Sequence, residues 1–250
     1  MNKTPSILVD TGFEVDQNGD LEQLLIPQVV NNVTAPRSVV FGGSAINWVP
    51  STISALQEIE GTNIESLPDS NILQGFTELL SVNFPKLKVI TCSTGGRGQF
   101  KGCAKLATVT MPLVETITCT ALNEGGTFNG CTSLTSINLP ELTYLNNNLP
   151  NGSGYGGSFR NCTALATVNF PKLSECLSGT YNGRGAFTDC TGLINVTFGS
   201  VGHPVTTIGA YTFHGCTQSG LTITIYTNGG AALSGSPWGA TNATIVYEEA

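Results

Sequence analysis

The chain has 250 residues, of which 11% are charged, with 30 glycines and a formal net charge of −7 at neutral pH. Thr, Asn and Ser are plentiful and helix-forming charged residues scarce, which argues for a turn-rich β-protein and against a helical bundle. The acidity sits at the front, where residues 1–69 hold nine acids against Lys3 and Arg37, while the rest balances at eight acids and eight bases. The repeat region therefore lacks the basic stripe that nucleic-acid binding needs.

In chain order, Met1–Asp10 carries one Lys and then only Ile7, Leu8 and Val9 in a row. That run is too short for the apolar core of a secretory signal, so if Met1 is the natural start no cleaved signal directs export. No apolar run approaches the roughly 18 residues of a membrane span, so no membrane insertion is expected. Ile7–Val9 and Val39–Phe41 read as short strands, and Leu21–Val30 as an apolar stretch interrupted by Pro27. Asp16-Gln-Asn18-Gly-Asp20 has some of the residues of a calcium loop but neither its spacing nor its closing Glu, and reads as an Asx-rich turn.

From Leu56 onward one leucine column organises the chain: Leu56, Leu79, Leu106, Leu134, Leu165, Leu193 and Leu221, spaced by 23, 27, 28, 31, 28 and 28 residues. Three residues after the first six stands a β-branched residue (Ile59, Val82, Val109, Ile137, Val168, Val196), usually followed two further on by Phe84, Met111, Leu139, Phe170 or Phe198. The positions between are small and polar, including Asn83, Thr110, Asn138, Asn169 and Thr197. Alternation at period two is a strand with one buried face, and its recurrence in phase predicts one strand per coil of a parallel sheet. Pro85, Pro112, Pro140 and Pro171 then end the strand, because proline cannot donate to a ladder. A second apolar pair follows, such as Leu87/Ile90 or Leu142/Leu145.

Ahead of the leucine column stand Phe100-Lys-Gly-Cys103, Phe128-Asn-Gly-Cys131, Phe159-Arg-Asn-Cys162, Phe187-Thr-Asp-Cys190 and Phe213-His-Gly-Cys216, with Leu73 and Phe76 in the corresponding places before Leu79. The Phe-x-x-Cys-x-x-Leu-x-x-Val-x-Leu-Pro pattern resembles the BspA-like class of bacterial leucine-rich repeats. The resemblance implies a β-rich solenoid of six to seven coils with short turns and non-repeating end caps. Residues 1–55 would form an N-terminal cap or attachment segment, 56–225 the solenoid, and 226–250 a C-terminal cap. Trp238 is expected to cover the exposed end of the core.

Candidate chemistry is sparse. Cys103, Cys131, Cys162, Cys190 and Cys216 occupy one phase of the repeat, with no CxxC pair and only His203 and His214 to assist, so no metal site is expected. Stacked Cβ atoms would lie about 4.8 Å apart, too far for a disulfide, so these cysteines read as small residues in a tight turn, and Cys92, Cys119 and Cys176 as core. The pair His214/Cys216 and the GxGxxG string Gly152–Gly157 lack the context of a catalytic dyad or a dinucleotide fold. The main enzyme alternative is a polysaccharide-cleaving solenoid, which needs two positioned carboxylates. Glu78, Glu115, Glu124, Glu141, Glu175 and Asp189 fall on scattered phases instead. No catalytic residue and no cofactor is expected.

The variable segments are the connectors before each Phe, namely Ser93–Gln99, Leu122–Thr127, Asn146–Ser158 and Gly179–Ala186. Sharing one phase, they should emerge along one edge as a Gly-rich rim carrying Arg97, Tyr155, Tyr181, Arg184 and Tyr211. Tyr and Arg dominate binding hot spots, and these five are the candidate ligand-binding residues. The Asn/Thr columns of the sheet are a second candidate surface. Proteins of the resembled class act in adhesion at bacterial surfaces or in phage attachment. The expected role is thus a phage virion or tail component contacting a bacterial envelope glycan or surface protein, with residues 1–55 joining an oligomer or larger assembly. The alternative is a cell-surface adhesin for host matrix proteins.

Overall fold

The computed structural model describes residues 13–15, 21–24, 38–42, 56–67, 73–92, 98–119, 125–147, 156–178 and 185–250. Within them β1 (Phe13–Val15) and β2 (Leu21–Leu24) form an antiparallel pair. The Ile7–Val9 strand, the Asx-rich turn at 16–20 and most of Gly152–Gly157 lie outside the described residues. The expected strand at Val39–Phe41 is present as β3 (Ser38–Phe41), and it pairs in parallel with the first strand of the repeat region, β4 (Glu58–Gly61).

Beyond β4 the coils contribute strands in pairs. These are β5 (Ser81–Asn83) with β6 (Val89–Cys92), β7 (Thr108–Thr110) with β8 (Thr116–Cys119), and β9 (Ser136–Asn138) with β10 (Tyr144–Asn147). They continue as β11 (Thr167–Phe170) with β12 (Glu175–Ser178), and β13 (Asn195–Phe198) with β14 (Thr207–Ile208), before β15 (Thr222–Thr227) and β16 (Thr244–Glu249) close the stack. This corrects the expectation of one strand per coil. The second member of the apolar pair after the proline, Ile90 or Ile117, lies in a second strand, where it shares the buried face with Cys92 or Cys119.

Two sheet faces result, both parallel and in register. One runs β6-β8-β10-β12-β14 without interruption. The other is divided into β3-β4-β5-β7 and β9-β11-β13-β15-β16. Between β7 and β9, all of whose residues are described, no ladder hydrogen bond forms. The neighbouring corner stays closed across the same junction, with Gly102 N–H donating to Asn129 O at 2.8 Å and Ser133 N–H to Ala104 O at 3.0 Å. Val109 is accordingly half-buried, whereas its column mates Val82 and Ile137 are 1% and 2% exposed.

The core lies between the faces and is a set of columns. Phe100, Phe128, Phe159, Phe187 and Phe213 stack with ring centroids 5.2, 5.3, 5.1 and 5.5 Å apart, the offset spacing that aromatic quadrupoles favour. The leucine column from Leu56 to Leu221 is fully buried. No single coil could bury this much apolar surface, so each depends on its neighbours.

The Phe-x-x-Cys corner explains its own sequence. Gly102, Gly130, Asn161, Asp189 and Gly215 all have φ between 58° and 79°, the left-handed region open to Gly and tolerated by Asn and Asp. That conformation aims the N–H of Gly102, Gly130, Asn161 and Asp189 at the next coil, as when Asn161 donates to Thr188 O at 2.9 Å. At the C-terminal end Trp238 is fully buried against Phe213, at 6.5 Å, and its indole N–H donates to Ser234 O at 2.9 Å. It is the expected cover of the core.

Candidate functional site

All eight cysteines are buried and none is in a disulfide. Those of the Phe-x-x-Cys column do more than fill space. The thiols of Cys131, Cys162, Cys190 and Cys216 donate to the carbonyls of Phe100, Phe128, Phe159 and Phe187 at 3.2, 3.1, 2.9 and 3.1 Å. Cys103 donates to Leu73 O at 3.4 Å, which places Leu73 in the Phe position of its degenerate coil. Burial pushes the Cys103 thiol up to about 11 and those of Cys176 and Cys216 up to about 12, so these groups stay protonated donors rather than nucleophiles. No group of His, Cys, Asp and Glu among the described residues is arranged to hold a metal ion.

Three carboxylates of the repeats are tied to neighbouring coils. Glu78 meets Lys105 Nζ at 2.7 Å, Glu141 meets Lys172 Nζ at 2.7 Å, and Asp189 lies 3.6 Å from Arg160 Nε. Glu124 lies outside the described residues.

The described ends of the connectors do share one edge. They are Cys92 and Gly98, Cys119 and Gly125, Asn147 and Gly156, and Ser178 and Gly185, each set following β6, β8, β10 or β12 of the continuous sheet. The returning ends stack so tightly that a Cβ on Gly98, Gly126 or Gly157 would run into the carbonyl oxygen of Gly126, Gly157 or Gly185, and one on Gly185 into that of Tyr211. Glycine at these positions is a packing requirement, where the sequence suggested loop adaptability. The longest connector is fastened at its base, because Asn147 Oδ1 accepts from both the N–H and the hydroxyl of Ser158 at 2.7 Å.

Of the five expected rim residues, Arg97, Tyr155, Tyr181 and Arg184 lie outside the described residues. Tyr211 is described. It is half-buried, its N–H donates to Ser178 Oγ at 3.4 Å, and its ring stands edge-on to His214 at 6.3 Å. It therefore sits at the base of the rim, in the last coil of the column.

The second surface is the outward side of the divided sheet. From β5 to β15 the alternating outward positions hold only Ser, Thr and Asn until Tyr226, as in Thr108/Thr110, Thr167/Asn169 and Asn195/Thr197. The amide N–H of Asn169 donates to Asn138 Oδ1 in the preceding coil at 3.4 Å. No helix among the described residues is long and apolar enough to cross a membrane.

A succession of short parallel strands, stacked Phe, Cys and Leu columns, and connectors whose ends share one edge define a leucine-rich-repeat solenoid. The family model for the BspA type leucine-rich repeat region matches six copies over residues 59–224, and the chain belongs to that family. Among solved structures it is similar to a leucine-rich repeat protein of T. pallidum, with 19% identity over 72% of this chain and 82% of that one, at a TM-score of 0.35. It is also similar to a leucine-rich repeat protein of Bacteroides ovatus, with 18% identity over 90% of this chain and 64% of that one, at a TM-score of 0.44. No curated protein matches the chain in sequence.

Proposed function

We propose that this solenoid is a non-catalytic binding protein that meets its target through the connector rim. We place it as a phage virion or tail component contacting a glycan or protein of the bacterial envelope. The observation that carries the binding reading is the stacking of four connector bases in one column, fixed by the glycines at 98, 126, 157 and 185. Variable segments on a rigid, repeated base are how such scaffolds create recognition surfaces.

The placement is supported by the thiols. Eight buried cysteines, none in a disulfide, suit a chain that folds in a reducing cytoplasm, where virion proteins assemble, better than one that folds after export. The hydrogen bonds of the five corner thiols to carbonyls would be lost in any disulfide.

Staining a panel of intact bacteria with fluorescently labelled protein tests the proposal. Selective staining of particular strains is expected. Capture by host matrix proteins with no strain stained would replace it with the adhesin reading, and turnover of a capsular polysaccharide would refute a non-catalytic role.

A further inference from the structure

The C-terminal end of the stack is finished by a strand whose outer edge meets no other strand among the described residues. β16 lies last in its sheet, beside β15 in an unbroken register from Thr222/Thr244 to Thr227/Glu249. Thr244 N–H donates to Leu221 O at 2.8 Å and Ala250 N–H to Thr227 O at 3.0 Å. Alternate residues of a parallel strand bond to opposite sides, so the N–H and C=O groups of Ile245, Tyr247 and Glu249 point to the free edge. Sheet edges are commonly blunted by proline, lysine or a bulge. β16 has none of these and carries its two charges, Glu248 and Glu249, at one end.

The core ends there as well. Ile245 and Tyr247 stand beside the fully buried Ile223 and Ile225, yet both are only half-buried, as are Leu233 and Ala243. From Asn228 to Tyr247 the last coil holds no acidic or basic side chain.

We infer that this edge joins two copies of the chain tail to tail, β16 against β16 in antiparallel pairing about a two-fold axis at Val246. Ile245 of each copy then lies opposite Tyr247 of the other, and their open backbone groups exchange about four hydrogen bonds. The side chains of that pair point to the core side in both copies, so the two cores close on each other as successive coils do within one chain. Glu248 falls opposite Thr244 and Glu249 opposite Ala243, so no two carboxylates face each other. Centring the axis on Tyr247 would set Glu249 against Ile245 on the core side, and centring it on 248 or 249 would oppose a glutamate to itself.

Charge also selects this partner. The uncharged last coil meets its own copy without repulsion. Stacking β16 on β3 of a next copy would instead bring Glu248 and Glu249 to the acidic end of the chain, where Glu58 and Glu60 stand one strand in from β3. Tail-to-tail pairing closes at two copies, whereas head-to-tail stacking would not close. The pair would present two connector rims, which raises avidity without a new contact. Association itself needs no rim ligand, so its failure and that of the rim reading are distinguishable.

The test is size exclusion with light scattering on the full chain at concentrations up to about 100 µM. The mass should level off at twice the chain's 26.1 kDa. Val246 lies on the outward side of β16 and opposite itself in the pair, so Val246→Lys and Val246→Glu should each weaken association by about tenfold or more. Thermal midpoints should stay unchanged, and an equal mixture of the two variants should recover the double mass. Val201→Lys, at a side chain 78% exposed and away from β16, should leave the mass as it is. A single-chain mass throughout, a mass that keeps rising with concentration, no recovery in the mixture, or an equal loss in Val201→Lys would overturn the inference.

Discussion

The thiol of Cys190 donates to the carbonyl oxygen of Phe159, one coil earlier, at 2.9 Å, and the same oxygen accepts the N–H of Cys162 at 3.2 Å. Each interior Phe carbonyl of the corner therefore has one partner from its own coil and one from the next. This is why the position is cysteine: an apolar residue would leave a lone pair unmet, and a larger polar one would not fit the turn.

Replacing Cys190 by Ala should accordingly cost about 1–3 kcal/mol of unfolding free energy, from a lost donor and a small void in a fully buried column. Urea denaturation of the two proteins measures it. An unchanged midpoint would mean that the thiol contributes no more than volume.

The raised thiols also give stability a pH dependence. Cys176 and Cys216 are pushed up to about 12 in the fold by burial, against 9.0 for an unperturbed thiol. The unfolded chain releases these protons first, so their contribution is whole below 9.0 and declines as pH rises toward about 12. The denaturation midpoint should hold between about pH 7 and pH 8 and fall by about pH 10.5. Loss of part of that fall in Cys176→Ala would assign it to the thiols, whereas a flat profile to high pH would contradict the burial argument.

Gly126 should tolerate no side chain, because a Cβ would overlap the Gly157 carbonyl of the next coil. Gly126→Ala is expected to cost about 3 kcal/mol or more and to loosen the rim with it. Gly202→Ala is the contrast, since its Cβ would meet nothing within 4 Å and only its φ of 81° is unfavourable, a penalty of about 1–2 kcal/mol. Comparable melting of the two variants would remove the packing explanation.

Much of the solenoid was legible from residue columns, because stacking puts Leu106, Leu134 and Leu165 in one environment and so asks for one residue type. The buried cysteines and the Trp238 cover were readable for the same reason. The second strand of each coil was not, since Val89–Cys92 spans only four residues and its short alternation resembles a turn with two apolar contacts. The glycines at the connector bases were visible, but their cause was not: loop freedom and a carbonyl one coil away demand the same residue. The break between β7 and β9 has no signature in Thr108–Thr110 or Ser136–Asn138, which match the other strands residue for residue. The rim was legible as an edge, and of its side chains the structure describes Tyr211.

That break should be measurable in solution. The N–H groups of Ser136 and Asn138 lack the ladder partner that Thr167 and Asn169 have in the pairing of β11 with β9. Hydrogen exchange at 136 and 138 should be faster than at 167 and 169 by on the order of a hundredfold. Equal protection would mean that the ladder closes there.

The central claim is that the connectors make the contact. Its most direct test is cell staining by a variant carrying Tyr155→Ala, Tyr181→Ala and Arg184→Ala, beside the unaltered protein. Staining of the recognised strains should fall by about tenfold or more while the thermal midpoint is unchanged. Undiminished staining by a folded variant would contradict binding through the rim.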